Sequence, residues 1–198
     1  QALALLRPVH DSSGGEDGFV SVEVSPTLAH DEAATIDAAR ELDRRIDAPN
    51  VYIKVPATVE GVAAIETLIG EGRSINVTLI FSLSRYAAVM EAYLSGLEAR
   101  PGDADLSTVS SVASFFISRV DTEVDQRLDA IGSAAALAQR GHAAVAQGKL
   151  AYQLFERTFS GPRWDRLRAL GAAVQRPLWA STGTKNPAYS DTLYVDNL

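Results

Sequence analysis

Short β-branched runs alternate with longer helical patterns along nearly the whole chain, and nothing else in the sequence limits the possible folds as tightly. FVSVEVS (19–25) reads as a strand, and residues 25–46 follow as a helix with Ile36, Ala39, Leu42 and Ile46 near one face. NVYIKVPA (50–57) is a second strand. It leads into VEGVAAIETLIGEG (59–72), where Ile65, Leu68 and Ile69 form a core stripe and Gly70 and Gly72 supply stops. SINVTLIF (74–81) is the third strand, Ser82 an N-cap, and 83–99 a helix ended by Arg100-Pro101-Gly102. TVSSVASFFIS (108–118) precedes a helical region from about Asp121 to Phe159, broken near Gly132, Gly141 and Gly148. After a shorter helix around Trp164–Leu170, RPLWASTG (176–183) and DTLYVDNL (191–198) read as a fifth and a sixth strand.

Strands separated by amphipathic helices require parallel βαβ units, because a parallel neighbour is reached only by a crossover that buries the helix on the sheet. No strand is followed by G-x-G-x-x-G and no P-loop is present, which removes the usual nucleotide sites of an open sheet. Glu23, Lys54, Asn76 with Thr78, Ser114 and Ser181 each lie within or toward the C-terminal part of a different strand, where barrel enzymes gather their catalytic groups. The expected fold is α/β: one incomplete (β/α)₈ TIM-type barrel domain over 1–198. Closure takes eight strands, so the remaining pair is expected upstream of residue 1 and a final helix after residue 198. The start inside an apolar run, QALALLRPV, and the stop after a strand also suggest a fragment.

A net charge of -7 with no basic stripe argues against nucleic acid as a partner. With 0 cysteines, disulfides and thiolate metal sites are impossible and a cytoplasmic location is expected. The 3 histidines, His10, His30 and His142, share no helical face, so no metal site is expected and each reads as a surface or loop residue. No apolar stretch nears the roughly 18 residues of a membrane span.

Lys54 is the centre of the chemical reading. Tyr52, Lys54 and Pro56 share one strand face, and Val51, Ile53 and Val55 the other. Removing an ammonium from solvent favours the neutral amine, the form that attacks a carbonyl; a structural ion pair is the competing reading. Glu23, on a face with Ser21 and Ser25, is either a proton carrier or the salt-bridge partner of Lys54. Asn76 and Thr78 share a face opposite Ile75, Val77 and Leu79, and suit either a sugar hydroxyl or a satisfied structural network. Ser114 and Arg119 suit a phosphate, although Arg119 can equally pair with Asp121, Glu123 or Asp125. Ser181, Thr182 and Lys185 form a second polar cluster.

VSVEVSP (20–26), VYIKVPAT (51–58), SINVTLIFSLSRY (74–86), SVASFFISRVDTEVD (111–125) and LWASTGTKNPAYSDTLYV (178–195) resemble successive motifs of the transaldolase family, in family order. The resemblance implies that Lys54 forms a Schiff base, that Glu23 works through a water positioned by Thr78, and that Asn76 contacts the substrate. It matches Ser114 and Ser181 to family serines and Arg119 to a phosphate-binding arginine. Where many relatives carry a second phosphate arginine, this chain has Gly183, and Lys185 is the candidate substitute. The family's first-strand aspartate has no counterpart in residues 1–198.

The implied reaction transfers a dihydroxyacetone unit between sugar phosphates without metal or organic cofactor. Two other readings remain: a class I fructose-6-phosphate-type aldolase, or a barrel fragment incompetent in catalysis.

Overall fold

The first three apolar strands are each followed by a residue able to cap the next helix, and the computed structural model, which describes residues 1–102 and 104–198, shows those caps in place. Asp31 accepts from the Ala34 amide at 2.9 Å, Thr58 from the Gly61 amide at 2.9 Å, and Ser82 from the Arg85 amide at 3.2 Å. The elements run α1 (Ala2–Ser12), β1 (Val20–Glu23), α2 (Glu32–Ile46), β2 (Val51–Pro56), α3 (Val59–Gly70), β3 (Ile75–Ile80), α4 (Leu83–Glu98) and β4 (Ser111–Phe116). They continue with α5 (Ser118–Ile131), α6 (Ala134–Leu137), α7 (Ala143–Thr158), α8 (Gly161–Ala169) and β5 (Arg176–Ala180). Short 3-10 turns occupy Pro26–Leu28 and Leu106–Thr108.

The five strands form one parallel sheet in the order β1-β2-β3-β4-β5. Helical crossovers link strands in chain order, the repeat of a (β/α)₈ barrel, and the described residues form part of one. Ile53, Val55, Ile75, Val77, Ala113 and Phe115, all fully buried, face the helices and meet Ile65, Leu68 and Ile69 of α3 and Tyr86, Val89, Met90 and Tyr93 of α4. Ala39 of α2 is buried, with Ile36, Leu42 and Ile46 packed partly against the same core. Gly61 lets α3 approach β2: a Cβ there would collide with the Pro56 carbonyl oxygen.

Several expectations are corrected. Residues 191–198 form turns and no strand. Their backbone bonds are local, Asp196 N to Thr192 O at 2.9 Å and Leu198 N to Tyr194 O at 3.0 Å, and Tyr194 is buried against α5. Among the described residues five strands are therefore present where six were expected. Helix α5 starts at Ser118, directly after β4, and α7 runs through Gly148 without a break. That glycine serves close packing, since a Cβ would strike the Leu198 side chain. His10 sits in α1 with its side chain only 14% exposed, edge-on to Phe19 with ring centroids 5.0 Å apart.

Leu79 also departs from the simple alternation. Val77 pairs with Ala113 and Ile80 with Phe115, so β3 carries one residue more than β4 between these pairs. Leu79 absorbs the excess at φ 61°, stays 41% exposed, and leaves Ile80 to take the core position. Among the described residues no helix is long and apolar enough to cross a membrane.

Candidate active site

Register places Glu23 opposite Lys54 and Lys54 opposite Asn76, so three polar side chains from three adjacent strands form one row on the face away from the helices. Lys54 Nζ lies 3.4 Å from Glu23 Oε2, with side chains 28% and 47% exposed. A pair this open contributes only about 0–1 kcal/mol, so it gives little stability in return for a lysine amid Ile53 and Val55.

Asn76, 6% exposed, is held on both sides. Its Nδ2 donates to Ser21 Oγ at 2.9 Å, and its Oδ1 accepts from Ser114 Oγ at 2.8 Å. Thr78 follows on the same face, opposite Pro56. It is 1% exposed, and its hydroxyl has no hydrogen-bond partner among the described residues. An unbonded buried hydroxyl costs about 1–3 kcal/mol. Below the row, Tyr52 stacks on Phe19 at 4.1 Å and shares a 2.6 Å hydrogen bond with Ser110, closing the lower end of this face. Burial holds the Tyr52 phenol pKa above its ordinary value.

At the C-terminal ends of β4 and β5 a second group assembles. Arg119, exposed in the first turn of α5, lies with Cζ 5.0 Å from the centre of the Phe116 ring. The carboxylates that competed for it are engaged elsewhere. Asp121 accepts from the Ala144 amide and the Tyr194 hydroxyl, both at 2.8 Å. Asp125 accepts from the Gly141 amide at 2.9 Å and the Tyr189 hydroxyl at 2.5 Å, and Glu123 pairs with Arg127 at 2.8 Å. Arg119 is left without an ion pair among the described residues.

Ser181 adopts a left-handed φ of 55°, and its Oγ lies 2.9 Å from Ser118 Oγ while its carbonyl accepts from the Ser118 amide at 3.0 Å. The end of β5 is thus stitched to the residue before Arg119. Lys185 is exposed and borders a cavity of about 380 Å³ with Ser118, Asp121, Asp125, Tyr189 and Tyr194. It stands apart from the Lys54 row.

The structure therefore brings Lys54, Glu23, Asn76 and Ser114 together, sets Thr78 next to them, and groups Ser181 with Ser118 beside Arg119 in the chain. Ser21 and Ser118 were not singled out from sequence. Alternation alone put Ser21 on the face of Glu23, whereas Ser118 becomes visible only through its bonds to Ser181.

The family described as Transaldolase/Fructose-6-phosphate aldolase matches residues 1–198. Transaldolase 2 of Streptomyces coelicolor is 57% identical over 198 residues, 100% of this chain and 53% of that protein. The transaldolase of Mycolicibacterium smegmatis gives the same three figures. That of Thermobifida fusca is 56% identical, over 100% of this chain and 54% of its own length. The chain spans about half the length of the curated relatives it matches. A match along every residue, on a sheet whose polar row coincides with the sequence motifs, means that this chain belongs to the transaldolase/fructose-6-phosphate aldolase family.

Proposed function

We propose that the protein is a transferase of the transaldolase type, which moves a dihydroxyacetone unit from a ketose phosphate to an aldose phosphate through a Schiff base on Lys54. The observation that carries this reading is the register row of Glu23, Lys54 and Asn76, with the amine 3.4 Å from a carboxylate on a polar face. Free-base Lys54 adds to the C2 carbonyl, and Glu23, through a water positioned by Thr78, supplies the proton with which the carbinolamine oxygen leaves as water. The C3–C4 bond then breaks, and its electron pair moves into the iminium to give an enamine. The C4 hydroxyl proton goes to the family's first-strand aspartate, which has no counterpart among the motifs of residues 1–198. Once the aldose phosphate has left, the enamine adds to a second aldose phosphate, and hydrolysis frees the product and Lys54.

Asn76, Ser114 and Ser181 offer neutral bonds to sugar hydroxyls, and Arg119 the charged contact to phosphate. Lys185 is the candidate second cation. The overall conversion is sedoheptulose 7-phosphate and glyceraldehyde 3-phosphate to erythrose 4-phosphate and fructose 6-phosphate, in the cytoplasm. The iminium is itself the electron sink, so the reaction is assigned no metal or organic cofactor.

Borohydride reduction with fructose 6-phosphate tests the assignment. A stable three-carbon adduct is expected on Lys54 and none in Lys54→Ala, which also loses turnover. An unlabelled Lys54 in the intact protein sinks the Schiff-base reading. Release of free dihydroxyacetone at equal rates with and without an acceptor aldose phosphate would instead identify an aldolase.

A further inference from the structure

Ser21 lies opposite Tyr52 on β2, whereas Asn76, on the other side of β2, lies opposite Lys54. The 2.9 Å bond from Asn76 Nδ2 to Ser21 Oγ therefore crosses the face of β2 between Tyr52 and Lys54, directly under the lysine side chain. Ser114 bonds the other end of the same amide at 2.8 Å, so the chain of bonds runs from β4 through β3 to β1 and skips β2 altogether. A carboxamide is nearly symmetric in shape, and its two orientations differ only in which end donates. Asn76 is 6% exposed, whereas Ser21, on the edge strand, is exposed. Ser114, 3% exposed, makes its side-chain hydrogen bond to Asn76 Oδ1. The carboxamide is thus tethered at both ends, Nδ2 by Ser21 and Oδ1 by Ser114.

We propose that Ser21 is a positioning residue: by accepting from Nδ2 it fixes the Asn76 carboxamide in one orientation beneath Lys54, leaving the second amide hydrogen available to the oxygen next to the carbon bonded to Lys54. This rests on the Schiff-base reading above. Without Ser21 the carboxamide keeps only its tether to Ser114 and can turn about it, so the amide hydrogen shown to the substrate is no longer held in place. The loss falls on the chemical step and spares capture of the phosphate at the other end of the site.

The test uses the intact protein carrying Ser21→Ala, Ser21→Thr, Asn76→Ala and the Ser21→Ala/Asn76→Ala pair. Ser21→Ala is expected to lower kcat about tenfold, with KM for the phosphorylated acceptor and the thermal midpoint unchanged and Lys54 still trapped by borohydride. Ser21→Thr, which keeps the hydroxyl, restores most of kcat. In the Asn76→Ala background, Ser21→Ala has almost no further effect, because the two act as one unit. Unchanged kcat in Ser21→Ala, no recovery in Ser21→Thr, or the same tenfold loss with and without Asn76 overturns the proposal. Absence of the trapped adduct in the unsubstituted protein overturns the Schiff-base reading and this one together, whereas an adduct with unchanged Ser21→Ala kinetics overturns this one alone.

Discussion

At the scale of single residues, the molecule separates side chains that hold structure from those it leaves uncommitted. Arg119 is flanked by carboxylates that are all engaged elsewhere. Arg119→Ala is accordingly expected to raise KM for phosphorylated substrates about tenfold or more, the share of one charge-assisted hydrogen bond. Its unfolding free energy should fall by less than about 1 kcal/mol, the value of an exposed cation–aromatic contact. Steady-state kinetics with phosphorylated and unphosphorylated sugars checks this, and an unaltered phosphate preference would remove Arg119 from the site. Tyr86 is the opposite case. Its hydroxyl is fully buried without a partner among the described residues, and burial holds its pKa far above the usual phenol value. Tyr86→Phe removes that unpaired group and is expected to leave stability equal or raise it by about 1 kcal/mol in urea titration. A loss larger than that would show that the hydroxyl is bonded in solution.

Between elements, the decisive contacts are close approaches and clamps. Gly61→Ala gains helix propensity but drives a Cβ into the Pro56 carbonyl at the end of the strand that carries Lys54. A net cost of about 1–3 kcal/mol follows, read as a lowered urea midpoint. The segment after β5 is held on α5 by Tyr189 to Asp125 and Tyr194 to Asp121. Burial first, then the bond to Asp125, pushes the Tyr189 pKa from 10.0 up to about 12. The unfolded chain gives up this proton near pH 10 while the folded chain keeps it, so the contribution is whole below 10 and declines as pH rises to about 12. Thermal midpoints across that window should fall, and Tyr189→Phe should flatten the decline. An identical slope in the variant would exclude this phenol as the cause.

For the molecule as a whole, much of the design was legible in the order of residues. Lys54 stood out because alternation puts a cation among Val51, Ile53 and Val55 yet on the opposite face, and the register confirms that Glu23 and Asn76 flank it. The helix caps Asp31, Thr58 and Ser82 are local and act as their chemistry dictates, although only Ser82 was named as one beforehand. Features that depend on a distant partner were not legible. The extra residue at Leu79 exists only relative to β4. TLYVDNL has the composition of a strand, but Tyr194 is committed to Asp121, 73 positions earlier in the chain, and local bonds curl the backbone into turns. Ser181 acquires its left-handed backbone at a junction with Ser118 that neither segment reveals alone.

Spatial order equal to chain order has a consequence for the time in which the protein is built. The strands that carry Glu23, Lys54 and Asn76 follow one another in the chain, and β2 and β3 each pair with the strand synthesised before it. By the time Ile80 has left the ribosome, every residue of the amine's own row exists, while Ser114, Arg119 and Ser181 are still to be translated. The Lys54 row can thus take shape from near neighbours, and the group around Arg119 and Ser181 is laid onto it afterwards.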